Sequence, residues 1–169
     1  RAGALPGDAL RAAGELGLAA AGLALLLAGR APMSPAAHAA VRIWRRPEAQ
    51  IAAGIAARGW AHAAIDVSDG LAQDAGHLAR ASGVDVILDA DAIVSPALRE
   101  AAAELGGDAL ELVLHGGEDY ALLVAAPEGP GLPGFTRIGS IVSGSGAVQL
   151  RRGDGATLAL VARGFDHFA

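Results

Sequence analysis

The chain has 169 residues, 53% of them hydrophobic, which is enough for one domain with a substantial core and excludes a disordered protein. A formal charge of −5 argues against binding to nucleic acid, because that function needs a basic surface. All 13 basic residues are arginine and cysteine is absent, so a Walker-type lysine, a disulfide framework and thiolate chemistry are excluded. These features fit a reducing, cytoplasmic setting.

The first half of the chain is predicted to be mainly helical. Its apolar run 16–29 is shorter than the ~20 residues that span a bilayer, so we expect a buried helix and no membrane partner. Ser34 and Pro35 are suited to begin the next helix, and Pro47 is suited to end it. The predicted elements are a segment 8–13 that reads equally as strand or helix, helices at 16–29, 35–45, 48–59 and 70–82, and a strand at 60–65.

The second half is predicted to contain most of the strands. These are expected at 84–88, 120–125, 135–142, 147–150 and 157–161, with a helix at 95–105 and a short helical turn at 108–112. Helices and strands alternate early, and hairpins come late. This order favours an α+β fold, a mixed sheet with packed helices, over an all-parallel wound sheet.

Two carboxylates and a hydroxyl lie together at the turn between the strand 60–65 and the helix 70–82, in Asp66, Ser68 and Asp69. Mg²⁺ prefers oxygen ligands, and the beginning of a helix offers free N–H groups and a positive dipole end to a phosphate. The alternative is that Ser68 or Asp69 is an ordinary N-cap, worth ~1 kcal/mol. The motif alone leaves both interpretations open.

A second polar motif, Gly116-Gly117-Glu118-Asp119-Tyr120, precedes the strand 120–125. Paired glycines let the backbone approach a ligand closely, and the two acids bring charge to the mouth of an apolar strand. A tight turn with solvated acids is the alternative. Tyr120 is expected to serve in packing and not in chemistry.

The closing segment 164–168 contains two of the three phenylalanines, Phe165 and Phe168. Such an aromatic can stack on a flat heterocycle, or it can pin the terminus to the core. Arg1 can meet a phosphate or remain solvated. The histidines show no metal-ligand spacing, so no zinc site is expected at His38, His62, His77 or His115.

Together the three motifs resemble those of the thiamine-monophosphate kinase family. The matching segments are 66–74, 116–120 and 164–168, with further matches at 1–4, 6–8, 19–23 and 46–47. They follow the family's order along the whole chain. The wider superfamily includes the aminoimidazole-ribotide and formylglycinamidine-ribotide synthetases and selenophosphate synthetase. The resemblance implies the layered α/β fold of the C-terminal domain of that superfamily.

The resemblance also implies that residues 1–169 are a single domain, the C-terminal half of a two-domain kinase. The N-terminal domain, which binds metal and ATP and forms the homodimer, would be absent from this chain. The family reaction converts ATP and thiamine monophosphate to ADP and thiamine diphosphate by direct in-line transfer with Mg²⁺. By itself, the chain is expected to have negligible kinase activity.

The site residues that the resemblance implies bind the metal, the phosphates or the thiamine moiety. It implies no additional catalytic residue. By this resemblance, Asp66 and Asp69 hold Mg²⁺, Ser68 and Arg1 contact the ATP phosphates, Glu118 contacts the thiamine moiety, and Phe165, with Phe168 second, stacks on it.

Three positions depart from the family pattern. Leu18 stands where an aspartate is frequent, so the helix 16–29 is expected to lose a cap; Gln50 and Ala121 replace a frequent arginine and glutamate. Two other functions remain open. One is a purine-pathway synthetase of the same superfamily, which uses ATP to activate an amide oxygen, and the other is a non-catalytic domain serving assembly.

Overall fold

The computed structural model describes residues 1–161, which form one seven-stranded sheet with helices packed on it. The strands are β1 (Ala9–Ala13), β2 (Ala63–Val67), β3 (Val84–Asp89), β4 (Ala121–Ala126), β5 (Phe135–Ser143), β6 (Val148–Arg151) and β7 (Thr157–Ala159). The helices are α1 (Leu18–Leu27), α2 (Pro35–Arg45), α3 (Ile51–Ala57), α4 (Leu71–Ser82), α5 (Ala90–Ile93), α6 (Pro96–Leu105) and α7 (Ala109–His115).

The strand order is β2-β4-β1-β5-β3-β6-β7, and among the described strands only β3 and β6 pair in parallel. The other neighbours are antiparallel. This mixed sheet confirms the predicted α+β fold. It also settles the segment 8–13 as a strand, which lies inside the sheet between β4 and β5.

The strands β2, β3 and β6 alternate between buried and more exposed residues, whereas β1 is buried at every position. In β2, for example, Ala63, Ile65 and Val67 are buried in the core, whereas Ala64 and Asp66 are exposed. A strand residue and its second neighbour share a face, so this pattern fixes the direction of Asp66. The strand β2 runs to Val67, not to residue 65 as predicted, and Asp66 therefore belongs to the strand.

Several helix boundaries agree closely with the prediction. Ser34 caps α2 by accepting the N–H of Ala37 at 3.0 Å, with Pro35 in the first turn, as expected. The prediction missed the short helix α5, which follows β3 directly. Within residues 1–161, no helix is both long enough and apolar enough to cross a membrane.

Helices α1 and α2 cross at Gly22, which is buried against the backbone of α2. A Cβ atom added at Gly22 would collide with the carbonyl oxygen of Ala40. The two helix backbones therefore approach more closely than any side chain at residue 22 would permit.

We expect Gly22→Ala to lower the free energy of unfolding by about 1–3 kcal/mol, the usual cost of overpacking, despite the better helix propensity of alanine. Urea unfolding of the variant measures this change. Gly54→Ala in α3 is the matched control, because its Cβ would only reach Leu122 at 3.7 Å. That control should be neutral or slightly stabilising; equal effects of the two substitutions would contradict the close crossing.

Candidate functional site

Three polar segments meet at one end of the sheet. Val67 at the end of β2 lies opposite Ala121 at the start of β4, and Ala13 at the end of β1 lies opposite Leu122. Because β4 runs antiparallel between β1 and β2, the segments after β1 and β2 and the segment before β4 emerge together. The sequence motifs at 66–70 and 116–120 are therefore neighbours in space.

The turn 66–70 contains the residues predicted to meet metal and phosphate. Asp66 is exposed on the outer face of β2, and Ser68 and Asp69 are partly buried in the turn before α4. The N-cap of α4 is Gly70, with φ 115°. The interpretation of Ser68 or Asp69 as the N-cap residue is therefore wrong.

A buried carboxylate within α4 organises this turn. Asp74 is only 3% exposed, and its Oδ2 accepts the N–H groups of Ser68 at 2.9 Å and Asp69 at 3.0 Å. Burial raises the pKa of the Asp74 carboxyl above its ordinary value, although the two N–H donors oppose this shift. The amides of Ser68 and Asp69 are therefore already used, whereas the prediction that the first N–H groups of α4 itself meet a phosphate stays a prediction.

His77 lies one helical turn after Asp74, and potential ligand atoms of Asp69, Asp74 and His77 lie within 4.8 Å of one another. The sequence prediction found no ligand spacing at this histidine and missed the grouping. The signal was the separation of 74 and 77, which places both residues on one face of a helix.

The segment 116–120 is bound directly to the turn 66–70. The N–H of Glu118 donates to the carbonyl oxygen of Ser68 and the N–H of Tyr120 to that of Val67, both at 2.9 Å. Gly117 passes so close that an added Cβ would collide with the Ser68 carbonyl oxygen. The glycine is therefore required for the close approach of the two motifs.

Glu118 and Tyr120 have φ values of 67° and 50°, the only positive φ values of non-glycine residues in the part of the chain that the structure describes. Such backbone costs ~1–3 kcal/mol per residue and is concentrated at functional sites. The Tyr120 hydroxyl donates to the Glu118 carboxylate at 3.1 Å. This hydrogen bond, with the negative charges of Glu118 and Asp66, raises the pKa of the Tyr120 phenol.

Asp119 points the other way, into the protein. It is 5% exposed, and its carboxylate accepts the N–H of Gly17 at 2.7 Å and the N–H of Ala19 at 3.2 Å. The start of α1 has no side-chain cap of its own, as predicted from Leu18, and Asp119 supplies the missing acceptor from a distant part of the chain. The prediction of solvated acids holds for the exposed Glu118 but not for Asp119, where burial raises the pKa to about 7.

A cavity of about 580 Å³ lies beside this segment, where β1 and α2 end. Its lining carries charges of both signs, from Glu15, Arg42, Arg46, Glu48 and Asp119. No ion pair within residues 1–161 involves Arg42 or Arg46. Space for an organic molecule is therefore available beside Asp119.

Of the three other predicted site residues, the structure describes only Arg1, which is held near the end of α4. The side chain of Arg1 is exposed, and the residue is tied to the fold through its carbonyl oxygen, which accepts a hydrogen bond from Ser82 at 3.3 Å. Phe165 and Phe168 lie outside the described residues.

The chemistry of the turn 66–70 fits a hard divalent cation. The exposed Asp66 and the partly buried Asp69 carry carboxylates, and Ser68, between them in the sequence, adds a hydroxyl. Oxygen donors of this kind, completed by water and phosphate oxygens, are what Mg²⁺ takes in phosphate-handling sites. The residues present are therefore suitable for the metal that the resemblance implies.

The mixed sheet with its acidic turn and its glycine-rich neighbour defines a domain of the AIR synthase class. Residues 6–150 match the family of the AIR synthase related protein, C-terminal domain, and the chain belongs to that family. Within it, the chain is similar to thiamine-monophosphate kinases.

The thiamine-monophosphate kinase of Salmonella typhimurium is 38% identical over 183 residues, covering 100% of this chain and 55% of that protein. The enzyme of Mycobacterium tuberculosis is 42% identical over 150 residues, covering 88% of this chain and 44% of that protein. The solved structure of AaThiL complexed with AMPPCP and TMP superposes with a TM-score of 0.86 at 35% identity, covering 99% of this chain and 53% of that one. The chain thus spans about half the length of these relatives.

Proposed function

We propose that the protein carrying this chain is a thiamine-monophosphate kinase, which transfers the γ-phosphoryl group of ATP to thiamine monophosphate and releases ADP and thiamine diphosphate. The observation that carries the proposal is the direct backbone pairing of the turn 66–70 with the segment 116–120. In the proposal, the turn 66–70 binds metal and phosphate, and Glu118, whose backbone is paired with that turn, binds the substrate. The kinase names of the relatives and the AMPPCP and TMP in AaThiL support it.

The chain's residues take the following roles in this proposal. Asp66 and Asp69 would hold Mg²⁺, which when bound neutralises phosphate charge. The Ser68 hydroxyl and Arg1 would contact the ATP phosphates. Glu118, with Phe165 and in second place Phe168, would bind the thiamine moiety, because a cationic thiazolium suits a carboxylate and an aromatic face.

This arrangement suits phosphoryl transfer, which depends on positioning and charge neutralisation more than on covalent chemistry. The strained backbone of Glu118 and its hydrogen bond from Tyr120 fix the carboxylate before substrate arrives. The adjacent cavity, with arginines and carboxylates in its wall, suits a substrate that carries both a phosphate and a cation. The rest of the active site, the homodimer contacts and a cytoplasmic location belong to the same proposal.

Product analysis tests the proposed function. The full-length protein, incubated with ATP, thiamine monophosphate and Mg²⁺, should form thiamine diphosphate and ADP in equal amounts, as measured by chromatography. A ribotide synthetase would leave thiamine monophosphate unchanged and release ADP and orthophosphate only with its own ribotide substrate. Absence of thiamine diphosphate with a folded, ATP-binding protein would overturn the proposal.

A further inference from the structure

We infer that Asp74, together with His77, is a positioning residue that sets the conformation of the turn 66–70 and, through it, of the segment 116–120. The inference rests on the proposed function for its kinetic consequences, whereas its structural consequences do not depend on the reaction.

The turn 66–70 depends on Asp74 because it lacks a cap of its own. The N-cap residue Gly70 has no side chain and a φ of 115°. The two amides before it donate to a single buried oxygen of Asp74, at 2.9 and 3.0 Å. A buried carboxylate with two backbone N–H partners is a strong, directional restraint, since hydrogen bonds to charged groups are about twice as strong as neutral ones.

The same restraint reaches the second motif. The Ser68 residue is held on both sides, its N–H by Asp74 and its carbonyl oxygen by the N–H of Glu118. Displacement of Ser68 therefore moves the backbone of Glu118. The Asp74 carboxylate therefore links the two motifs through hydrogen bonds, although it is not itself proposed to contact a substrate. It restrains the turn of the proposed metal and phosphate residues and, through Ser68, the backbone of Glu118.

His77 completes the network from the next turn of α4. Its Nδ1 lies 3.3 Å from Nη2 of Arg80. A guanidinium can only donate, so Nδ1 accepts and the neutral ring carries its proton on Nε2. One ring nitrogen lies within 4.8 Å of one carboxylate oxygen of Asp69 and one of Asp74, so the ring can limit the repulsion between these two acids.

The three side chains are better arranged for holding the turn than for an independent metal site. Oδ2 of Asp74 is used by two backbone donors, and Nδ1 of His77 is used by Arg80. A metal ion bound at Oδ2 or Nδ1 would have to displace these donors. The two interpretations therefore predict different behaviour when His77 is replaced.

Variants Asp74→Asn and His77→Gln of the full-length protein test the inference, with Ser95→Ala as the matched control. Ser95 caps the remote helix α6 by accepting the N–H of Leu98 at 3.1 Å, so its loss weakens a helix start without touching the site. Three quantities are measured: deuterium exchange of peptides covering 66–70 and 116–120, the Mg²⁺ concentration for half-maximal turnover, and the KM for thiamine monophosphate.

We expect Asp74→Asn to speed exchange in both peptides and to raise the Mg²⁺ requirement about 10–100-fold, the usual effect of losing an outer-shell partner. The KM for thiamine monophosphate should rise as well. His77→Gln should change all three quantities in the same direction, but by a smaller amount than Asp74→Asn. It also tests the inference if Asp74→Asn fails to fold. Ser95→Ala should lower stability and leave all three unchanged.

Two results would overturn the inference. One is unchanged exchange and Mg²⁺ dependence in Asp74→Asn and in His77→Gln, which would make both residues merely structural. The other is tight Mn²⁺ binding to the nucleotide-free protein that His77→Gln abolishes, as seen by electron paramagnetic resonance, which would make the group a metal site. The exchange measurement remains decisive even if the protein forms no thiamine diphosphate.

Discussion

Replacing Asp66 or Asp69 by asparagine should lower phosphoryl transfer by about 100-fold or more and leave the fold intact. Outer-shell partners of a metal site typically contribute about 10–100-fold, and direct ligands should contribute at least as much. Asparagine keeps the size of the side chain but loses the charge that attracts Mg²⁺. Because Asp66 is exposed, its replacement should change the free energy of unfolding by less than about 0.5 kcal/mol.

Steady-state turnover of the full-length protein at rising Mg²⁺ concentrations measures this effect. Higher Mg²⁺ should partly restore the activity of each variant if the residue is a ligand. Glu100→Gln removes an exposed charge on α6 and is the control for a general change of surface charge. Full activity of both aspartate variants would contradict the metal-binding role and favour a domain that serves assembly.

Asp119→Asn should change the pH dependence of stability between about pH 4 and pH 7. Burial raises the pKa of the folded carboxyl to about 7 from an ordinary 3.8, so the folded state keeps a proton that the unfolded chain loses. The contribution of this group to stability is complete below pH 4 and is lost as the pH rises through 7. The slope is at most about 1.4 kcal/mol per pH unit.

Urea unfolding of the wild type and the variant at several pH values checks this sign. Asparagine has one oxygen for two N–H donors, so the variant should be less stable at pH 5, and the difference should shrink towards pH 8. Asp85→Asn is the contrast: three backbone N–H groups lower the pKa of the partly buried Asp85, so its effect should appear below about pH 4. A difference independent of pH would contradict the burial of an ionisable Asp119.

Local sequence signals were sufficient to predict helix bounds where a single residue determines the backbone conformation of its nearest neighbours. Ser34, Pro35 and Pro47 act within a few residues, and the bounds of α2 followed from them. The segment 8–13 stayed ambiguous because alanine favours neither period, and only its pairing with β4 and β5 makes it a strand. The strand predicted at 157–161 is shorter in the structure, where β7 ends at Ala159. Its length is set by pairing with β6, which the local sequence does not reveal.

Contacts between distant residues were beyond the reach of those signals. Asp119 caps α1 across a separation of 102 residues, so no pattern around Leu18 could reveal it. The role of Asp74 was easier to predict, because its contacts are local in the sequence. An acid four residues after Gly70 can reach back to the amides before the helix. The placement of Asp66, Asp69 and Glu118 as metal and substrate residues stays a prediction.

The central position of β1 has a consequence for synthesis of the protein. Its partners on either side, β4 and β5, are made more than 100 residues later. At a ribosomal rate of about 5–20 residues per second, β1 therefore waits roughly 10 s for them, with both edges unpaired. Such late, non-local closure is slow, so the nascent chain should depend on chaperones until β5 has emerged.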